Sequence, residues 1–279
     1  MTATHTSFDA ASPSAPVEST EIPPPPAPRP VQWRRAVRAL RALLADPDQT
    51  EKAFEVFLAL DGDEEERTFQ RLLAHPGGRR LAAARPCLFS RLSDRTALAA
   101  SPDGSFGRAY LAYLDRNGLD PGGLVKLKAE MELYAKSVGE NLPVLDPVRE
   151  WLRVRGILMH DLWHVLTDYD TDELGEAALL AFSYAQLPGR ANRLLTFGAG
   201  SRVVFEHSLG SARYLYRAWR RGRRAVWLLA LPYEELLDQP LDAVRAMARV
   251  EAGDVAHPAG ILRGSRTEKS PAVSRPTAH

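Results

Sequence analysis

The stretch from Pro147 to Asp168 is long and strongly helical in its periodicity, whereas alternating, strand-like segments are nearly absent from the chain. That contrast restricts the fold to helix packed on helix. Other segments repeat the pattern. Val31, Val37, Leu40 and Leu44 recur at helical spacing, and Asp46-Pro47 reads as a cap with a first-turn proline opening a helix through Phe54, Phe57 and Leu58. Phe106 to Asn117 forms an apolar stripe that stops at Gly118, and Glu173 to Leu187 ends at Pro188. Further helices are predicted over Arg202 to Arg221 and Leu241 to Val250. The expected fold class is mainly α: a single multi-helix domain over residues 31–257. Residues 1–30 and 258–279 are expected to be disordered tails, the first rich in Ala, Ser, Thr and Pro, a composition that buries too little apolar surface to offset ordering. The run Pro23 to Pro26 also leaves open a proline-rich ligand for another domain.

Composition removes several function classes. A formal net charge of +1 gives no global field toward nucleic acid, so no nucleic-acid partner is expected. The single cysteine, Cys87, excludes an intrachain disulfide and a cysteine-rich zinc site, and reads as a small core residue. No apolar run approaches the roughly 20 residues that span a bilayer, and the N-terminus lacks a secretory pattern. A cytoplasmic location is therefore expected, with any membrane contact made from the surface.

Chemistry concentrates in the stretch HDLWHVLTDYDTDELGE, His160 to Glu176. His160 and His164 stand four apart on a predicted helix, so their imidazoles leave one face a turn apart, within reach of a single ion. Asp161, rotated about 100° around the helix, suits a third ligand or a partner behind the ligands. After the turn from Thr167 to Asp172, Gly175-Glu176 begins another helix, whose antiparallel return would bring the Glu176 carboxylate to the same point. The competing reading is two satisfied histidines on a semi-buried face with Asp161 solvated. Leu158, Leu162, Trp163, Val165 and Leu166 supply an apolar lining.

These residues resemble the coenzyme Q (ubiquinone) biosynthesis proteins of the fourth Coq type, whose signature is HDxxH, eleven residues, then a glutamate preceded by glycine. His160, Asp161, His164 and Glu176 reproduce it. Pro102 to Tyr110 resembles the family's P-x-G-[ST]-x-G-x-x-Y segment, followed by the turn Gly118 to Pro121. Arg155 stands where the family tends to have arginine, and Ala218 to Arg245 resembles its closing block. The resemblance covers about residues 100–250; nothing is matched in residues 1–95. Asp168 replaces a frequent glycine, and Ile157 a frequent second arginine.

The resemblance implies a mainly helical, metal-binding protein of ubiquinone synthesis. One implied activity is metal-dependent decarboxylation at ring carbon 1 of a polyprenylated 4-hydroxybenzoate, with or without hydroxylation there. The other is a non-catalytic scaffold that binds prenyl lipids and organises the biosynthetic enzymes. A divalent metal would sit on His160, Asp161, His164 and Glu176. Zinc comes first for that donor set, with iron, manganese or cobalt open. Asp161 or Glu176 would shuttle a proton, and Arg155 would bind a substrate anion or pair with a nearby carboxylate. Expected partners are a polyprenylated benzoate or quinone intermediate, other ubiquinone-synthesis enzymes and the inner face of the cytoplasmic membrane; a homodimer is open.

Two enzyme classes compete for the motif. A zinc peptidase would carry glutamate where Asp161 stands, and the shorter side chain reaches a metal-bound water poorly. A phosphohydrolase of the His-Asp type needs a further histidine and aspartate in a context that His75 and His207 lack. Arg217, Arg220, Arg221, Arg223 and Arg224 read either as a patch for anionic headgroups or as a solvated helix end with cations suitably at its C-terminus. Arg34, Arg35, Arg38 and Arg41 read as a wet helix face, and Trp151, Trp219 and Trp227 as core or interface anchors.

Overall fold

Side-chain caps at His75, Asp94, Ser105, Asp120, Asp146 and Asp172 fix where six of the helices begin, and the computed structural model of the chain describes residues 22–46, 49–139, 142, 144–207 and 209–251. Among these the helices run α1 (Trp33–Ala45), α2 (Thr50–Leu60), α3 (Glu64–Ala74), α4 (Pro76–Ala84), α5 (Leu88–Ser93), α6 (Arg95–Ala100), α7 (Phe106–Asn117) and α8 (Pro121–Ser137). The second half continues with α9 (Pro147–Thr167), α10 (Glu173–Gln186), α11 (Arg190–Glu206), α12 (Leu209–Arg224), a 3-10 turn (Leu228–Ala230), α13 (Tyr233–Leu236) and α14 (Leu241–Ala248). No β-strand occurs among the described residues; Ser105 and Pro240 form one isolated bridge. The mainly α class is as expected.

The Asp146 carboxylate accepts from the N–H groups of Val148 and Arg149 just ahead of Pro147, which needs no donor of its own. Gly118 closes α7 in the left-handed region at φ 64°. Two helix expectations need correction. Arg202 to Arg221 is not one helix: α11 ends at Glu206 and α12 starts at Leu209. The break turns the chain back, so that Tyr214, Ala218 and Gly222 of α12 are buried, with Gly222 close against the Phe182 carbonyl of α10. The helix expected from Asp46-Pro47 begins instead at Thr50, and Pro47 lies outside the described residues. Most of both expected tails also lies outside them, but residues 22–30 are placed. They form no helix or strand, with the Arg29 N–H donating to the Gly62 carbonyl and its guanidinium paired with Asp61.

The main core gathers α3 to α7, α9 to α12, the 3-10 turn, α13 and α14, and its fully buried members include Phe106, Leu114, Leu162, Leu166, Leu179 and Phe182. Burying a side chain of this size stabilises by about 1.5–3 kcal/mol before ordering costs are counted. A smaller cluster joins α1, α2 and α11 through Ala36, Leu40, Val56, Leu60 and Leu195. Arg34, Arg38 and Arg41 are exposed on α1, the wet face expected, while Arg35 pairs with Glu55. Cys87, expected in the core, is exposed at the start of α5.

Candidate metal centre

The α9–α10 corner is built from backbone outward. Asp168 ends α9 at φ 59°, a left-handed conformation that explains why glycine suits this position and that aspartate tolerates better than most residues. The turn it starts carries the Tyr169 carbonyl back to His164, whose Nδ1 lies 3.0 Å from that oxygen. Asp172 then caps α10 by accepting from the N–H groups of Leu174 and Gly175. Gly175 is required by space: a methyl at that position would overlap the Asp170 carbonyl. The close approach brings the next residue, Glu176, over the histidines.

Three of the four expected ligands converge. Nε2 of His160 and Nε2 of His164 are 3.3 Å apart. Glu176 places Oε1 3.3 Å from His164 Nε2 and Oε2 3.8 Å from His160 Nε2. The donor atoms all lie within 4.8 Å of one another. Two nitrogens each about 2.0–2.1 Å from one ion at a tetrahedral angle stand about 3.3 Å apart, so the imidazole pair fits a single cation. With Nδ1–H of His164 donated to Tyr169, its Nε2 lone pair faces the cluster, the arrangement a ligating histidine needs. His164 is fully buried, whereas 44% of the His160 side chain and 40% of Glu176 remain open. Tyr113 of α7 stacks on the His164 ring at 5.5 Å and 21°.

Among the protein groups alone the two imidazoles shift in opposite directions. Burial, with His164 beside it, pushes the His160 imidazole below its usual value, so it stays neutral and keeps a lone pair. Crowding by packed neighbours causes this although its edge is open to solvent. Burial would also lower His164, but the Glu176 carboxylate outweighs it and raises the imidazole. Glu176 is held below the ordinary carboxylate range, burial opposing and His164 prevailing.

Asp161 stands outside the cluster. Its carboxylate is buried, makes no hydrogen bond or ion pair among the described residues, and is pushed up to about 6 by burial and by Glu176. The 100° rotation along α9 turns it toward α7, where burial first, and then the Asp161 charge, raises both Tyr110 and Tyr113. The Tyr110 hydroxyl is buried there, also without a hydrogen-bond partner. Arg155 is buried too, its guanidinium engaged by Glu234 and by the Leu231 carbonyl at 2.7 Å rather than by the cluster. Of its two expected roles, the structure shows the carboxylate pairing.

Sequence reasoning missed four features. The Tyr169 carbonyl and the Tyr113 ring left no signal beyond the turn and the Pro102 to Tyr110 segment. A second cluster, Glu173, Glu206 and His207, also lies within 4.8 Å. There Arg202 sits between the acids, donating to Glu206 at 3.0 Å and pairing with Glu173 at 2.9 Å. Finally, α9 ends against cations: Arg245 donates to the Leu166 and Val165 carbonyls, and Arg221 of α12 to the Thr167 carbonyl, each at 3.0 Å.

Comparison with known proteins adds a frame. The family model described as "Coenzyme Q (ubiquinone) biosynthesis protein Coq4" matches residues 64–128 and 144–254. The match begins upstream of residue 100, where the sequence resemblance was expected to stop. A Danio rerio relative, "Ubiquinone biosynthesis protein COQ4 homolog, mitochondrial", is 30% identical over 70% of this chain and 67% of its own length. The mitochondrial COQ4 protein of Pyricularia oryzae is 29% identical over 64% of this chain. The chain spans only 55% of that relative's length. A crystal structure of a Nostoc punctiforme protein, provisionally described as acting in ubiquinone biosynthesis, superposes with a TM-score of 0.54 at 21% identity. That likeness covers 79% of this chain and 99% of the other and supports the fold.

Proposed function

Since the chain belongs to the coenzyme Q (ubiquinone) biosynthesis protein Coq4 family, we propose that it serves ubiquinone synthesis by removing the ring-carbon-1 carboxylate of a polyprenylated 4-hydroxybenzoate. The observation that carries this reading is the convergence of His160, His164 and Glu176 from two helices onto one point open to solvent on one side. These three residues would hold a divalent metal, zinc first for two imidazoles and a carboxylate, with iron, manganese or cobalt also compatible. Bound there, the ion would supply Lewis-acid stabilisation of charge on the carboxylate or phenolate.

The protein's own groups account for the rest. Tyr113 and the Tyr169 carbonyl hold the His164 ring in one orientation. Leu162, Leu166 and Trp163 are buried behind α9 and keep water from that side. A phenol para to the carboxylate feeds electrons into the ring, so carbon 1 takes a proton as carbon dioxide leaves. Asp161, buried beside the cluster with no partner among the described residues, is the acid positioned to hold that proton. Hydroxylation at the same carbon would need an oxygen donor as well. Three protein ligands leave a coordination position free, which favours catalysis over a scaffold whose structural metal is closed by four. The reading carries with it a cytoplasmic location against the membrane and the company of other ubiquinone-synthesis enzymes. No helix among the described residues is long and apolar enough to cross a membrane.

The test is release of labelled carbon dioxide from a carboxyl-labelled prenylated 4-hydroxybenzoate by the purified, metal-loaded protein. Release that His164→Ala abolishes supports the reading. No release from a protein that still restores ubiquinone to deficient cells would transfer the function to the scaffold.

A further inference from the structure

Helix α12 has a strongly basic outer face. Its inner side, with Tyr214, Ala218 and Gly222, is buried on α10. Its outer side exposes Arg213, Arg217, Arg220, Arg223 and Arg224, and the helix contains no acid. None of these five arginines forms an ion pair among the described residues. Elsewhere arginines are mostly paired: Arg29, Arg149, Arg153, Arg155, Arg190 and Arg202 all meet carboxylates. A chain of net charge +1 therefore concentrates unbalanced positive charge on one helix face.

Apolar groups share that face. Leu209 is 83% exposed and Tyr216 56%, and successive rotations of 100° place both among the arginines. Phe205, at the end of α11, is 93% exposed, and Phe197, about two turns earlier on that helix, 67%. Trp219 stacks on Tyr216 at 5.8 Å and carries the Arg223 guanidinium over its ring. Leucine and phenyl side chains held out in water at a helix turn lose free energy that a partner would recover.

We propose that the outer face of α12, with Phe205 and Phe197 of α11, docks on an anionic lipid bilayer. The arginines meet lipid phosphates, the Tyr216–Trp219 pair lies at headgroup depth, and Phe205 and Leu209 enter the acyl boundary. Charge complementarity selects this occupant. In a twofold dimer through this face, five arginines would meet five arginines. A nucleic-acid strand would satisfy the charge and stack on the aromatic rings, but gives Leu209 nothing to enter. This surface is independent of the catalytic reading and stands or falls separately.

The test is co-sedimentation of the full chain with vesicles of phosphatidylcholine alone or mixed with phosphatidylglycerol. Binding is expected to the mixed vesicles and to fall sharply in about 1 M salt, where the screening length is near 3 Å. Each arginine near the surface contributes about fivefold, so Arg217→Glu with Arg220→Glu should weaken binding by about 25-fold or more. Phe205→Asp with Leu209→Asp should also release the protein, whereas His164→Ala should bind like the parent. Circular dichroism of each variant confirms that the helices persist. Equal binding by both surface variants, or no preference for anionic vesicles, would overturn the proposal. So would conversion of a dimer to a monomer by the Phe205/Leu209 pair, or stronger capture by an oligonucleotide than by the vesicles.

Discussion

The first turn of α10 contributes to two clusters that look alike on paper. Glu176 meets His160 and His164; Glu173, three residues earlier, meets His207 and Glu206. Both offer one or two imidazoles and one or two carboxylates within 4.8 Å. The difference lies in what surrounds the donors. The first has a buried histidine whose second nitrogen is fixed by the Tyr169 carbonyl and whose ring is backed by Tyr113. The second has a guanidinium already bound between its acids, and Arg202 is itself anchored to the Leu44 carbonyl at 2.8 Å. The donor set alone is a weak criterion for a metal site; the fixed tautomer of one cluster and the resident cation of the other are what distinguish the two.

The largest effect should come from the first cluster. His164→Ala is expected to lower zinc affinity more than about 100-fold, beyond the 10–100-fold typical of losing an outer partner, whereas His207→Ala should leave it unchanged. Metal content after dialysis reads the contrast, and equal losses in the two variants would erase the distinction. Gly175→Ala should come next. The added methyl meets the Asp170 carbonyl, so the turn must open, costing about 1–3 kcal/mol in denaturant unfolding and moving Glu176 off the histidines.

Converting one cluster toward the other gives the third test. Arg202→Met removes the resident cation, and zinc titration should show a second, weaker site gaining about tenfold in affinity. No gain would mean that exposure, not Arg202, disables it. Asp172→Ala should cost about 1 kcal/mol through loss of the α10 cap, read as a shifted denaturation midpoint. Smallest is an acid effect remote from both clusters. Arg149 holds Glu66 below the ordinary carboxylate range, so this pair stabilises above the unfolded value near 4.3 and loses that contribution as pH falls through the lower folded value. Glu66→Gln should flatten the acid limb of the stability curve and leave zinc content untouched.

The helices that position the centre were legible because local chemistry declares them. Asp146-Pro147, Gly118 and Asp172 mark ends of α9, α7 and α10, and the four-residue spacing of the histidines places both on one face. Gly175 was readable as a helix start, but not as a close contact, because the Asp170 carbonyl that excludes a side chain comes from tertiary geometry. The α11–α12 break was hidden for a related reason. Neither proline nor glycine stands at Glu206 or His207, and the burial of Tyr214, Ala218 and Gly222 against α10 depends on tertiary packing that spacing does not declare. Asp161 could be placed 100° from the histidines, yet only the position of α7 decides that this direction is buried among tyrosines.

The hydrogen bond from Arg221 to the Thr167 carbonyl joins helix α12 to the last turn of α9, three residues beyond His164. The same helix end is also held by Arg245 of α14 through the Leu166 and Val165 carbonyls. Two guanidiniums from different helices therefore pin the turn that carries the imidazole, and displacing α12 along its axis would set one clamp against the other.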